Sequence, residues 1–404
     1  MELTKKSDIW FTFLLTFGYI FSYSLALLLE ATSNNYFSVP FRIIVLLLSF
    51  FVIYINLNNI KKRKVTVIFT VLFWLFYLCK AIYSFKNDLY LPHTSQEENE
   101  IYIRIIFLNL IPYIAILGIK FTKEIMIRLN SLVFNFLLII LGISCLWTIF
   151  IFKNFEKSSG IFVSYYINVG HYGLSLLILS IYYYFQSPKK LLKPVLGILV
   201  GIFTILSSSA RSPVLAIFII LLILLFYLNK LKYWIFLLSF VVFFVISIFC
   251  LKQTSVADFE FINRMYNAIF EGNGSGRSYY LLKGWNVFKD NIIFGGRILF
   301  EDGMYPHNIF IEVLMSMGVV GGVLFLLYFK DIRKFKIRYV REHIYYLPFF
   351  LFFIQYCVLV LTSVSIFGNM EFWSFSAVII SIILFCYDEE IKINDGRRHT
   401  AGNH

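Results

Sequence analysis

"VLAIFIILLILLFYL" occupies residues 214–228, and it is apolar on every face. A strand of a membrane barrel alternates polar and apolar side chains, so this stretch predicts a helix instead. Similar runs recur along a chain of 404 residues that is 59% hydrophobic and only 15% charged. A soluble core cannot use that much apolar surface, whereas each helical membrane span needs about 20 apolar residues. The composition therefore predicts a polytopic membrane protein.

Apolar runs of nearly spanning length predict an all-α polytopic fold with about twelve transmembrane helices in one membrane domain, 1–404. The first run is long and lacks a small-residue cleavage site, so we expect it to be retained rather than removed as a signal peptide. The predicted spans are 8–30, 39–58, 65–85, 101–119, 131–152, 161–186, 191–206, 213–229, 232–251, 307–329, 343–366 and 370–387.

Basic residues are distributed unevenly among the connections. One set of short connections and tails collects 23 of the 36 lysine and arginine residues, including "KKRK" (61–64), "KDIRKFKIRYVRE" (330–342) and the tail 388–404. The positive-inside rule places this set, with both termini, in the cytoplasm. The net charge of +13 follows mainly from this bias, so it indicates a basic face toward anionic lipid rather than nucleic-acid binding. The five cysteines show no CxxC spacing, which argues against a metal site.

The segment 252–306 is the one long connection between predicted spans, and the charge bias places it outside the cytoplasm. Loops of this length usually carry function or fold partly into helices. We expect short amphipathic helices at 258–270 and 278–291, lying on the membrane or capping the bundle.

Two arginines on this predicted outer side are candidates for anion binding. Arg277 ends the glycine-rich stretch "EGNGSGR", where backbone N–H groups can turn toward an anion and a guanidinium suits phosphate. Arg211 precedes Ser212 and Pro213, which we interpret as a helix N-cap and first turn, so it stands at a helix end that favours anions. The alternatives are a simple hinge at the glycines and an arginine extending to lipid headgroups.

A histidine and two polar side chains stand at the start of the tenth predicted span, in "YPHNIFIE" (305–312). His307 faces the same side as the two arginines, and a histidine beside a phosphate site can act as a general base or orient an acceptor. Asn308 and Glu312 are four residues apart on one helix face, so we expect them to reach each other or a sugar hydroxyl. The alternative is a structural histidine at the membrane interface.

Three motifs together resemble the O-antigen polymerase and O-antigen ligase superfamily. "SSSARS" (207–212) resembles its serine-arginine motif. "GSGRSYYLLKGWNVFKDNIIFGG" (274–296) is similar to its glycine-arginine segment in a large periplasmic loop. "YPHNIFIEVLMSMGVVGG" (305–322) resembles its His-Asn motif with the glycine-rich helix that follows. "INVGHYG" (167–173) faintly resembles a fourth motif but lacks Asn-Pro-Asn, so Asn168 and His171 are the weakest candidates.

The resemblance implies a glycosyltransferase of the C type in the bacterial inner membrane, with a periplasmic active site. Its substrates would be glycans on undecaprenyl diphosphate, with no nucleotide sugar, metal or other cofactor, and a chain-length regulator is an expected partner. Arg211 and Arg277 would bind the diphosphate, and His307 would position the acceptor hydroxyl or take its proton. Arg264 and Lys283, with Asn308 and Glu312, are further candidates for substrate binding.

Several functions stay open at this point. Within the superfamily, a polymerase extends a lipid-linked chain and a ligase transfers it to lipid A–core; the divergence outside the motifs favours the polymerase. A flippase for lipid-linked oligosaccharides has a similar number of spans. Transporters, however, often show two related halves with charged residues near the membrane middle, and neither feature is visible here. An envelope scaffold would leave Arg211 and His307 unexplained.

Overall fold

A computed structural model describes residues 2–21, 35–87, 98–152, 166–186, 189–228, 231–254, 259–272 and 276–401. These residues form helices and contain no strand, as the apolar runs predict. The first half of the chain forms α1 (Glu2–Phe13), α2 (Asn35–Ile55), α3 (Leu57–Lys62), α4 (Lys64–Lys86), α5 (Glu98–Ile103), α6 (Ile111–Gly118), α7 (Lys123–Trp147) and α8 (Tyr166–Gln186). The second half forms α9 (Leu192–Ser208), α10 (Arg211–Leu228), α11 (Leu231–Lys252), α12 (Glu260–Phe270), α13 (Arg277–Asp290), α14 (Ile309–Tyr328), α15 (Ile337–Glu342), α16 (Leu347–Thr362) and α17 (Met370–Ala401).

Seven helical segments among these residues are long and apolar enough to cross a membrane, which fits a multi-pass membrane protein. They are Phe37–Ile55, Lys64–Lys86, Glu98–Gly118, Lys123–Phe150, Ile309–Lys334, Ile344–Thr362 and Met370–Lys392. Three shorter apolar helices follow one another in the second half, at Leu192–Ser208, Arg211–Phe226 and Leu237–Lys252. Each of the twelve predicted spans overlaps a helix, but the count of twelve crossings stays a prediction.

Helix α17 forms the centre of the bundle, since 89% of its most apolar window is buried. It packs against α16, against α6 and against the π-helical turn Leu14–Gly18 that continues α1. Trp373 of α17 packs in tilted and edge-to-face contacts with aromatic rings from α4 and α14. Its indole N–H donates to the carbonyl of Ile366 at 2.7 Å. α17 continues past residue 388 to Ala401, and residues 402–404 lie outside the described residues, so the cytoplasmic tail 388–404 stays a prediction.

Helix α14 is interrupted at Gly318, whose φ of 63° no helix contains. The segment that follows α13 fills the break: Val319 donates to the carbonyl of Ile292 at 2.8 Å, and Gly296 donates to the carbonyl of Met315 at 2.8 Å. Lys80 of α4 donates to the carbonyl of Gly295 at 2.9 Å from the other side. These bonds satisfy backbone groups that the interruption would otherwise leave unpaired. They also tie the long loop to the helix that begins beside His307.

Within the loop 252–306, the helices lie close to where the sequence predicts them. α12 covers Glu260–Phe270 and buries Phe261, Ile262 and Met265, while α13 covers Arg277–Asp290. α13 packs closely on the start of α14 because Gly284 has no side chain: a Cβ there would lie 2.8 Å from Pro306. The packing brings the N-terminus of α13 toward the residues just before α14.

Candidate functional site

Arg211 is the first residue of α10. The preceding helix ends at Ser208, and Ser209 adopts a left-handed conformation with φ of 52°, so the chain reverses within two residues. The prediction that Ser212 is the N-cap of this helix is wrong, because the helix begins at Arg211, two residues before the predicted first helical residue, Pro213. Ser212 lies inside the first turn, and its hydroxyl is buried against His171. Arg211 therefore stands at the helix end, where unpaired backbone N–H groups favour an anion.

Arg277 begins α13 directly after Gly276, whose φ is 73°. Left-handed backbone of this kind costs glycine little, which explains why a glycine precedes the arginine. Gly272 also has a positive φ, while residues 273–275 of the glycine-rich stretch lie outside the described residues. Burial lowers the pKa of Arg277, and the positive charge of Arg264 lowers it further. A bound anion would relieve both effects.

Arg264 joins the two arginines from α12. Its guanidinium lies over the ring of Tyr166, 5.4 Å from the ring centroid, and the nearest oxygen of Glu260 is 3.8 Å away. One of its terminal nitrogens, Nη1, is buried with no hydrogen-bond partner among the described residues. The charges of Arg264 and Arg277 are both close enough to act on Arg211. Three guanidiniums from three helices therefore face one region.

His307 stands beside this cluster. Its ring contacts the ring of Tyr305, with centroids 4.4 Å apart, and that of Tyr280, with centroids 6.0 Å apart. Its Nδ1 is buried without a hydrogen-bond partner in the described part of the chain. Burial lowers the pKa of His307 to about 4, assisted by the charge of Arg277. The imidazole is therefore neutral at pH 7 and can accept a proton or hydrogen bond.

His307 also has a left-handed backbone, with φ of 57°. Such a conformation is uncommon for a residue with a Cβ and costs about 1–3 kcal/mol, and it is found often at active sites. The next residue, Asn308, is the N-cap of α14 and holds the backbone of His307 in this conformation.

Asn308 and Glu312 bond to backbone groups rather than to each other. Asn308 is the N-cap of α14: its side-chain oxygen accepts from the N–H groups of Phe310 and Ile311 at 3.1 and 3.2 Å, and its amide donates to the carbonyl of Leu361 at 3.3 Å. Glu312 is fully buried and accepts from the N–H of Ile366 at 2.9 Å. Asn308 thus holds the end of α16 against α14, Glu312 holds the segment that follows α16, and the predicted contact between the two side chains is not formed.

The remaining candidates lie apart from the arginines or beneath them. Lys283 forms an ion pair with Glu301 at 2.9 Å and lies over the ring of Phe300. His171 is fully buried and reaches Ser212 at 3.0 Å, so it supports the start of α10 from below. Asn168 is half-buried in the first turn of α8, two residues after Tyr166. The structure brings together Arg211, Arg264, Arg277 and His307, and not Lys283.

Two tyrosines of the site were missed in the sequence. Tyr305 contacts His307, and Tyr166 lies under Arg264. Tyr305 occurs two residues before His307 in the same motif, so the sequence could have indicated that it belongs to the site. Tyr166 begins α8, nearly a hundred residues before Arg264, and only the fold relates the two. In the described ranges, no group of three or more His, Cys, Asp or Glu side chains has the arrangement of a metal site.

Residues 196–326 match the family model described as O-antigen ligase. The predicted superfamily resemblance is confirmed. The match covers about a third of the chain and includes Arg211, Arg264, Arg277 and His307. No curated protein matches the chain. The superfamily evidence therefore lies in the part of the fold that forms the arginine cluster.

Proposed function

We propose that this chain is a polysaccharide polymerase, a glycosyltransferase that joins oligosaccharide repeat units carried on undecaprenyl diphosphate. The observation that supports it best is the cluster of Arg211, Arg264 and Arg277, which come from three separate helices, beside His307, which lies just before α14. All four residues lie in the segment that matches the family model. Three cations, two of them at helix N-termini, suit a diphosphate, and a neutral imidazole next to them suits a sugar hydroxyl.

The arginines would act on the leaving group. In the transfer, the bond between the sugar C1 and the diphosphate oxygen breaks, and undecaprenyl diphosphate departs with the electron pair. Guanidiniums placed before the reaction would stabilise the negative charge that develops on that oxygen, an effect worth several kcal/mol in a preorganised site. Burial of Arg264 and Arg277 strengthens these interactions because water screens them less.

His307 would act on the acceptor. Its ring accepts a hydrogen bond from the attacking sugar hydroxyl, whose oxygen forms the new bond to C1 and whose proton passes to the imidazole. The free imidazole is a weak base because of burial and Arg277. A bound diphosphate beside Arg277 would offset that positive charge and raise the pKa of His307, so the base strengthens when the donor is in place.

Guanidiniums in this role replace a divalent cation, so the proposed reaction needs no metal. Purified protein with lipid-linked repeat units is expected to form polymer in excess EDTA. If activity is lost in EDTA and magnesium or manganese restores it, a metal ion binds the diphosphate, and the role given to the arginines is contradicted.

The proposal includes the predicted placement of the protein. Twelve spans in a C-type glycosyltransferase architecture would put both termini in the cytoplasm and the loop 252–306 in the periplasm, in the inner membrane. The lysine-rich connections support this orientation. The tail from residue 388 would then extend α17 into the cytoplasm.

The O-antigen ligase is the second candidate, because the matching family model carries that description. Both enzymes use the same donor and leaving group, so the arginine cluster suits either. Deleting the gene and separating surface polysaccharide on a gel distinguishes them. Single capped repeats without a ladder indicate the polymerase, and lipid-linked polymer that is not transferred to core indicates the ligase. A single repeat trapped in the cytoplasm would contradict both and indicate a flippase.

A further inference from the structure

A cavity of about 540 Å³ lies at the end of the bundle opposite His307. Helix α14 begins beside His307 and runs into the 3₁₀ turn Lys330–Lys334, which lines this cavity. The other walls come from the junction of α3 and α4, from Lys120 between α6 and α7, and from residues 384–392 of α17. Its volume falls in the range of small-ligand sites. Nothing in the proposed reaction uses this end of the molecule.

The cavity carries excess positive charge. Six basic side chains line it, against three acidic ones. The basic side chains are Lys62, Arg63, Lys120, Lys330, Lys334 and Lys392. The acidic ones are Asp331, Asp388 and Glu389, so six minus three leaves a net charge of +3.

The three acidic side chains interact with three of the six basic ones, two of them in ion pairs. Lys334 pairs with Asp331 at 2.9 Å, and Lys392 pairs with Glu389 at 2.7 Å. Asp388 is the charge that acts most strongly on Arg63, whose guanidinium also donates to the carbonyl of Leu117 and to the hydroxyl of Ser381, the latter at 2.6 Å.

The three other lysines form no ion pair within 4 Å among the described residues, although the charge of Lys330 acts on the neighbouring Asp331. Lys62 and Lys120 are exposed, and Lys330 lies over the ring of Phe69, 4.7 Å from its centroid. These three ammonium groups are free to bind a phosphate.

The opening of the cavity is apolar on the side that faces the lipid. Val65 lines it and is the first member of an exposed stripe along α4. The stripe has helical spacing and continues through Ile68, Leu72 and Leu75. Since α4 is long and apolar enough to span a membrane, this stripe faces hydrocarbon. A ligand that suits both features has an anionic head and apolar chains.

We infer that this cavity binds the headgroup of an anionic phospholipid, with the phosphate held by Lys62, Lys120 and Lys330 and the acyl chains lying along α4. Basic cavities between transmembrane helices on the lysine-rich side are suited to such headgroups. The inference is independent of the proposed function, since it uses no residue of the arginine cluster. A bound lipid would link α4, the end of α14 and α17, and so stabilise the folded protein.

Native mass spectrometry of the purified full-length protein tests this with three probes. Dioleoyl-phosphatidylglycerol carries the anionic head and both chains, dioleoyl-phosphatidylcholine has the same chains with a zwitterionic head, and glycerol 3-phosphate has no chains. The test variant is Lys62→Ala with Lys120→Ala. The matched control is Lys61→Ala with Lys64→Ala, which removes two exposed lysines from the same connection that do not line the cavity. All four positions are exposed, so folding is not at risk.

Each basic residue near the membrane surface contributes about a fivefold factor in affinity for anionic lipid. The wild type and the control are expected to bind phosphatidylglycerol more tightly than phosphatidylcholine, and the test variant is expected to lose roughly thirtyfold. Equal affinity for the two lipids would overturn the inference, as would an equal loss in the control. Binding of glycerol 3-phosphate as tight as that of the lipid would assign the cavity to a soluble anion instead.

Discussion

The imidazole Nε2 of His171 lies 3.0 Å from the hydroxyl of Ser212, and both side chains are buried. This contact joins α8 to the first turn of α10, one residue after Arg211. His171 is fully buried, so its side chain is not open to contact with a substrate. We interpret it as a positioning residue that fixes the helix end carrying Arg211.

Ser212→Ala removes this bond and leaves a buried ring nitrogen without its partner. The expected cost is about 1–3 kcal/mol in the free energy of unfolding, with a few-fold loss of donor affinity. Ser207→Ala is the control, since among the described residues that half-buried hydroxyl bonds only to the carbonyl of Thr204 in its own helix, at 3.2 Å. The expected change is within about 0.5 kcal/mol. Thermal unfolding in detergent measures the stability of each variant, and donor titration measures its affinity for the donor. Equal effects of the two variants would remove the positioning role.

Arg211→Lys and Arg277→Lys are expected to reduce polymerisation about 10- to 100-fold, and the alanine variants to be nearly inactive. A lysine keeps the charge but loses the paired N–H groups that grip a diphosphate. Arg297→Lys is the matched control, because Arg297 lies in the same loop but pairs with Glu301. Rates are measured with purified, well-folded protein. Near wild-type rates for folded alanine variants at 211 and 277 would contradict the site.

Local sequence pattern predicted the helices and the candidate arginines, because apolar runs and motifs are contiguous. It did not predict side-chain partners that come from distant segments. Glu312 bonds to Ile366, 54 residues away, and Arg264 packs on Tyr166. The N-cap at Ser212 was predicted wrongly because the chain reverses at the left-handed Ser209, a conformation that is uncommon for a residue other than glycine and that the sequence does not signal.

The stretch "GVVGG" (318–322) shows the same limit. It predicts close helix packing, but it does not reveal that α14 breaks at Gly318 to receive the segment after α13. A Cβ at Gly318 would lie 2.5 Å from the backbone nitrogen of Gly295. This packing requires both the break at Gly318 and the segment after α13, so the sequence of either one alone does not predict it.

Gly318→Ala is therefore expected to destabilise the protein by more than about 2 kcal/mol and to lower its yield, because the backbone is left-handed and no space exists for the methyl group. Gly322→Ala is the control in the same helix. Among the described residues, a Cβ at Gly322 would meet only the Leu314 side chain, at 3.4 Å, so this variant is expected to be neutral or stabilising. Melting temperatures and detergent-stable yields compare the two. A Gly318→Ala protein as stable as the control would show that the break is not required.

The orientation of the protein is tested by cysteine labelling. Ser278 is exposed at the start of α13, and Lys61 is exposed in a predicted cytoplasmic connection. In a background with Cys79 and Cys250 replaced by serine, Ser278→Cys is expected to react with a membrane-impermeant maleimide in cells whose inner membrane is intact. Lys61→Cys is expected to react only after that membrane is broken. The reverse pattern would invert the topology and remove the proposed mechanism with it.

His307→Ala is expected to lower turnover by about 10²- to 10⁴-fold while donor affinity changes little, because its proposed partner is the acceptor hydroxyl. Its pKa of about 4 keeps the free imidazole neutral, so the donor kcat/KM is expected to show no titration of His307 between about pH 5.5 and 8. Donor binding that falls as steeply as turnover would place His307 on the diphosphate instead.

The same pKa has a consequence for stability that does not depend on activity. Burial and Arg277 lower the pKa of His307 from 6.5 to about 4, so the unfolded chain binds more protons than the folded protein between these values. Stability is therefore expected to fall as the pH drops through this window. His307→Gln cannot bind that proton, and its loss of melting temperature between pH 7 and pH 4.5 is expected to be smaller than that of the wild type. Equal losses would mean that His307 is solvated in the folded protein, and then it would be too weakly held to orient an acceptor.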